Sequence, residues 1–221
     1  MIPLRTDVLR RTVAAFNGLL ILINIAAFLY ELTLGPRQGQ AFVYTFGLIP
    51  ANTQLLFAHP GAGLGRAFIP VVTSMFLHGG WMHLLGNLLF LWVFGGSVEE
   101  AMGHIRYLGF YFICGIGAAL THIVANWGST VPTVGASGAI SGVMGAFLVL
   151  YPRARVTTLI PALFLFFTVR IPAVLMMGYW FALQFLSGLA SLDMARDQGG
   201  VAWWAHVGGF VLGAFLAYRR R

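Results

Sequence analysis

The chain has 221 residues, of which 59% are hydrophobic and only 9% charged, and its net charge of +7 sets thirteen arginines, with no lysine, against six acids. A soluble domain carries about 25% charged residues, so this composition cannot cover a globular surface and a water-soluble fold is excluded. The single cysteine, Cys114, excludes an intramolecular disulfide and a cysteine-based metal site, and in a membrane protein the basic excess marks topology rather than nucleic-acid binding.

Lipid leaves no water for unpaired backbone groups, so a span is a helix or part of a closed barrel. Barrel strands alternate apolar and polar residues, whereas this chain has long apolar runs. About 20 apolar residues cross the hydrocarbon core. Spans are predicted at Thr12–Leu34, Trp81–Val98, Tyr107–Ala125, Val134–Leu150, Ile171–Leu192 and Val201–Tyr218. The first has an apolar core too long for a signal peptide and no cleavage site after it, so it is read as retained. The connection Gly35–Gly80 holds apolar stretches of its own, "LIPANTQLLF" and "FIPVVTSMFL". A loop this long is functional or packed, and here it is expected in the membrane interface.

Val156–Val169 is a further apolar run with Pro161 inside it. Too short to span, it is expected to re-enter or to lie along the interface; a crossing there would invert everything downstream. Arginine placement decides for six spans. With the N-terminus inside, Arg5, Arg10, Arg11, Arg106, Arg153, Arg155, Arg219, Arg220 and Arg221 lie inside, Arg170 at the inner edge of the fifth span, and Arg37, Arg66 and Arg196 outside, as the positive-inside rule requires. Ser191–Gly200, with Asp193, Arg196 and Asp197, is expected to be a mobile outer loop. No internal repeat is present, which argues against a duplicated transporter.

On this topology polar residues converge near the outer face: His78 just before the second span, His83 and Asn87 within it, His122 and Asn126 ending the third, Ser137 opening the fourth and His206 in the sixth. Each alone reads as a helix-packing hydrogen bond, worth about 0.6 kcal/mol on average. Polar groups from several spans at one depth read as a functional site.

Glycine costs about 1 kcal/mol relative to alanine in a helix, yet the fourth span reads "VGASGAISGVMGA" (Val134–Ala146). Gly138 and Gly142 form one GxxxG; Gly209 and Gly213 form a second, on one face with His206 and Ala217. Small residues let backbones approach closely. Packing of the two seams on each other would draw His206 toward Ser137. A serine within reach of an imidazole is the minimum for nucleophilic catalysis, and His83, Asn87 and the Ser137 N–H are candidate donors for an oxyanion. Asp193 and Asp197 lie in a loop, so the reading is a dyad.

Three stretches carry a resemblance: "HGGWMHLLGNLLFLWVFGGSVEE" (His78–Glu100), "GASGAISGVMGA" (Gly135–Ala146) and "AHVGGFVLGAF" (Ala205–Phe215). With HxxxN, GxS and AHxxG in the second, fourth and sixth spans, the chain resembles the rhomboid intramembrane serine proteases over about Thr12–Tyr218. The resemblance implies an all-α membrane protein, a bundle of six transmembrane helices with a long membrane-embedded first outer loop. Residues 12–218 would be the catalytic domain, between a cytoplasmic segment 1–11 and a basic tail 219–221, with no soluble regulatory domain at either end.

It further implies Ser137 as nucleophile, His206 as general base, and His83, Asn87 and Ser137 as the oxyanion site. Gly135, Gly138, Gly142, Gly209 and Gly213 would be the packing glycines, His78 a structural residue of the loop, and the fifth span a mobile helix beside which substrate enters. The substrate would be the transmembrane segment of a single-pass membrane protein, cleaved through an acyl-enzyme within membrane lipid, with no cofactor, metal or nucleic acid. The expected location is a prokaryotic cytoplasmic membrane with both termini inside. The alternative is a catalytically silent relative that binds transmembrane segments in quality control or trafficking; the three motifs argue against an unrelated channel.

Two departures stand out. Some members stack an aromatic, four residues after the serine, on the base; here that position is Ser141, and what orients His206 is open. The Trp-Arg pair that some members have early in the first outer loop is missing, and Arg66 precedes Ala67 and Phe68 instead. Gln184 is read as a packing residue, the Met- and Phe-rich fifth span as lipid-facing bulk, His59 and His104 as solvated or structural, and Trp81, Trp203 and Trp204 as interface anchors.

Overall fold

The computed structural model describes residues 1–53, 65–162, 165–191 and 201–219, with backbone alone at 65–67, 162 and 165. Its elements are β1 (Ile2–Thr6), α1 (Ala15–Thr33), α2 (Pro36–Phe46), α3 (Gly65–Thr73), α4 (Trp81–Met102), α5 (His104–Ala125), α6 (Ser137–Leu150), β2 (Arg155–Ala162), β3 (Leu165–Pro172), α7 (Ala173–Ser191) and α8 (Trp203–Tyr218). α1, α4, α5 and α7 are long and apolar enough to cross a membrane, and α6 and α8 are shorter apolar helices. The chain is a multi-pass integral membrane protein built as a helical bundle.

α6 begins later than its apolar run. Gly135 has φ +125° and its N–H donates to the Ser74 carbonyl at 2.8 Å, so the backbone turns helical only after it. The fourth span therefore starts at Ser137 rather than Val134, and its 14 residues extend only about 21 Å.

α4, by contrast, continues past its expected end at Val98, to Met102. Glu99 is fully buried, and its carboxylate accepts the Phe16 and Asn17 backbone N–H groups at 3.0 and 2.7 Å. Glu100 likewise accepts from the Arg11 N–H at 2.9 Å. Both acids serve the N-terminal end of α1, where negative charge is favoured, so they do not stop α4. That helix stops at Gly103, φ +81°. Within α4 a π-helical turn, Leu91–Gly95, frees the Leu91 carbonyl, which accepts from Asn17 Nδ2 at 3.1 Å; Asn17 Oδ1 accepts in turn from the Tyr107 hydroxyl at 2.7 Å.

The run Val156–Val169, expected to re-enter or lie along the interface, is an antiparallel β-hairpin. β2 pairs β3 from Arg155↔Pro172 to Ala162↔Leu165, and β1 adds to the free edge of β2, giving the order β1-β2-β3. β-Branched and aromatic residues suit such a surface: Val156 and Thr158 are buried against the bundle, while Arg5 and Arg170, both partnered with Thr157, are exposed. Ala173 N–H donates to the Ala154 carbonyl at 2.8 Å. The chain thus leaves and rejoins the bundle at one end, and the count of six spans stands.

Among its described residues, the connection between α1 and α4 is largely helical. Thr73 Oγ1 donates to the Phe46 carbonyl at 2.7 Å, and Leu48 bridges Thr133. This ties α2 and α3 to the end of the bundle at which α6 starts.

α8 packs along α6 through glycine. A Cβ on Gly209 would collide with the carbonyl oxygen of Gly138, one on Gly213 with that of Gly142, and one on Gly145 with that of Phe210. On its other side α6 meets α5, where a Cβ on Gly138 would lie 2.7 Å from Ala118 Cβ. Phe94, Tyr107, Tyr111, Val143 and Phe147 fill the core below.

Candidate active site

The seam sets the helix depth, and the depth sets the site. Ser137, the first residue of α6, lies beside Gly138, and His206 lies one turn before Gly209 on α8. Ser137 Oγ is 2.8 Å from His206 Nε2. His206 Nδ1 is 2.7 Å from Gln184 Oε1 on α7. Both His206 and Gln184 are buried. The Trp180 ring lies against the imidazole, centroids 5.8 Å apart and tilted by 36°, and Trp203 meets it edge-on at 6.4 Å. Ser141 turns back on its own helix and donates to the Ser137 carbonyl at 2.6 Å.

α4 supplies the opposite wall. Gly79 N–H donates to His83 Nδ1 at 3.4 Å, which leaves the proton of the neutral ring on Nε2. That nitrogen packs on Gly135, where a Cβ would lie 2.6 Å from it. This, together with its positive φ, is why position 135 takes glycine. Asn87 Nδ2, one turn along from His83, is buried without a hydrogen-bond partner among the described residues. His83, Asn87, Ser137, Ser141, Trp180 and His206 share the lining of a cavity of about 600 Å³.

The other histidines stand apart from the Ser137 hydroxyl. His122 accepts from Asn126 Nδ2 at 3.2 Å and donates through Nε2 to Thr133 Oγ1 at 2.9 Å, bracing the turn before α6. His78 Nδ1 donates to the Phe76 carbonyl at 3.2 Å, and its backbone N–H donates to the Glu31 carboxylate at 3.2 Å. Burial, with His83 beside it, pushes the His78 imidazole down to about 4, so it is neutral at ordinary pH. His104 is half exposed and pairs with Glu99 at the far end of the bundle. His59, Asp193, Arg196 and Asp197 lie outside the described residues, as does the Arg66 side chain.

Gln184 and Trp180 are the residues that sequence reasoning did not assign to the site. The available signal was a lone amide in an apolar span, one turn after a tryptophan, since an intramembrane polar group needs a partner.

A family model described as "Rhomboid domain" matches residues 65–221. The chain belongs to the rhomboid family. The resemblance carried by the three motifs is thereby borne out, and the matched region of this rhomboid contains His83, Asn87, Ser137, Gln184 and His206. "Rhomboid protein 1, mitochondrial" of Saccharomyces cerevisiae is 30% identical over 156 residues, 68% of this chain and 41% of the yeast protein. "Rhomboid protease AarA" of Providencia stuartii is 28% identical over 217 residues, 90% of this chain and 69% of that protein. "Rhomboid protease GluP" of Bacillus subtilis is 41% identical over 78 residues, 35% of this chain and 15% of that protein. The match thus spans less than half the length of the yeast relative.

Proposed function

We propose that this rhomboid is an intramembrane serine endopeptidase that cleaves transmembrane segments of single-pass membrane proteins, with Ser137 as nucleophile and His206 as base. The observation that carries the reading is the 2.8 Å contact between Ser137 Oγ and His206 Nε2 beside a cavity shared with His83 and Asn87. Relatives named as rhomboid proteases support it.

In the proposed mechanism Ser137 Oγ attacks the scissile carbonyl carbon as Nε2 takes the hydroxyl proton. The same proton passes to the amine as the C–N bond breaks, leaving an acyl-enzyme. Water, deprotonated by His206, then releases the acid and restores the serine. The oxyanion of each tetrahedral intermediate accepts from the Ser137 N–H, His83 Nε2–H and Asn87 Nδ2–H, and one such donor is worth about 10²–10³ in rate. Residues 12–218 form the catalytic domain. The arginines gathered at the sheet end of the bundle (Arg5, Arg153, Arg155 and Arg170) support an inside location for that end, with both termini; the membrane proposed is a prokaryotic cytoplasmic one.

The test uses purified protein in liposomes with a single-pass reporter substrate. Wild type cleaves it and Ser137→Ala, equally folded, does not. Equal cleavage by Ser137→Ala overturns the reading.

A further inference from the structure

A neutral imidazole carries one proton on either of two nitrogens, and which one is set by the hydrogen bond that the other nitrogen makes. For a base facing Ser137 only one tautomer works: a proton on Nε2 would point at Oγ and leave nothing to receive the serine proton. The buried contact between His206 Nδ1 and Gln184 Oε1 at 2.7 Å decides between them. An amide oxygen only accepts, so Nδ1 holds the proton and Nε2 presents its lone pair to the hydroxyl.

The same helix also fixes the ring. Trp180 and Gln184, four residues apart on α7, share a face. One lies against the imidazole and the other holds its edge. A ring flip would turn a carbon toward Gln184 and strip Nδ1 of its acceptor. Ser141, which stands where an aromatic would stack from α6, is spent on the Ser137 carbonyl.

We infer that Gln184 is the positioning residue of the site: its amide oxygen holds His206 in the Nδ1–H tautomer and aims Nε2 at Ser137. The inference rests on the protease reading proposed above. Gln184 does the orienting part of what a carboxylate does in a triad, and, being neutral, supplies direction without countercharge to the imidazolium.

The test pairs a resting-state readout with kinetics. In protein carrying ¹⁵N-labelled histidine in detergent, wild type shows His206 with a protonated Nδ1 and an unprotonated Nε2. Gln184→Leu, which leaves a buried N–H without an acceptor, shifts the ring toward the Nε2–H form, lowers kcat about 10- to 100-fold and leaves KM unchanged. Gln184→Glu, which keeps an acceptor oxygen in place, restores the tautomer and most of kcat. If Gln184→Leu is too unstable to assay, Gln184→Met at similar length is read in the same way. A wild-type tautomer and wild-type kcat in Gln184→Leu or Gln184→Met overturn the inference. The tautomer is read without substrate, so it stands or falls separately from whether the protein cleaves anything.

Discussion

Gly209 stands with its α-carbon against the carbonyl oxygen of Gly138, too close for any side chain to fit between them. The same contact recurs between Gly213 and Gly142. Two backbones therefore touch along α6 and α8, and this fixed approach brings His206 to Ser137. The obstructing atoms are backbone, which cannot swing aside. Gly209→Val is expected to lose about 3 kcal/mol or more through overpacking, read as a lower unfolding temperature in detergent and loss of cleavage. Gly178→Ala on α7, with nothing within 4 Å of its Cβ position, leaves stability unchanged or slightly raised. Equal behaviour of the two variants would contradict the seam's role.

Asn87 Nδ2 is buried without a partner among the described residues, so deleting it removes no hydrogen bond of that nitrogen seen there while depriving the proposed oxyanion site of a donor. Asn87→Ala is expected to lower kcat about 10²–10³-fold with little change in unfolding temperature. Steady-state kinetics beside a melting curve reads both; parallel losses in the two would mean that Asn87 is structural.

Glu99 is the counterpart at the far end. It is fully buried, and two α1 backbone N–H groups depend on it. Glu99→Ala strands those two donors, each at a cost of about 1–3 kcal/mol. Intact Ser137→Ala-sensitive cleavage by whatever fraction still folds would show that the site itself is untouched.

His78 gives a pH dependence whose sign follows from its burial. Its folded value of about 4 lies below the usual 6.5, so between those limits the unfolded chain binds the proton and the folded chain does not. Its share of stability is present above pH 6.5 and is lost as pH falls toward 4, at about 1.4 kcal/mol per pH unit inside that window. Unfolding temperatures of wild type and His78→Phe at pH 7 and pH 5 test this: the wild type drops further. Parallel drops would exclude His78 as the cause.

The helical bundle was legible because apolar runs report burial in lipid directly, and the juxtaposition of Ser137 with His206 because glycine spacing reports close backbone approach. Three features were not. The hairpin was masked because a hydropathy run counts apolar residues and ignores their order; "VTT" and "FFTV" carry strand-forming residues inside a stretch too short to span. The true end of α4 was hidden because Glu99 and Glu100 read as charges leaving the membrane, when they bind backbone amides in the first turn of α1 and in the segment just before it, from 80 or more positions away. Gln184 was visible as a lone amide, but what it meets depends on how α7 packs on α8, which no local pattern encodes.

The most direct measurement maps where a fluorophosphonate reacts. The purified protein is treated with the probe, digested, and its peptides weighed, for wild type, Ser137→Ala and His206→Ala. An adduct on Ser137 in wild type, and none in either variant, is the predicted result. An adduct on another residue with Ser137 unmodified, or reporter cleavage that persists in Ser137→Ala, would contradict the account.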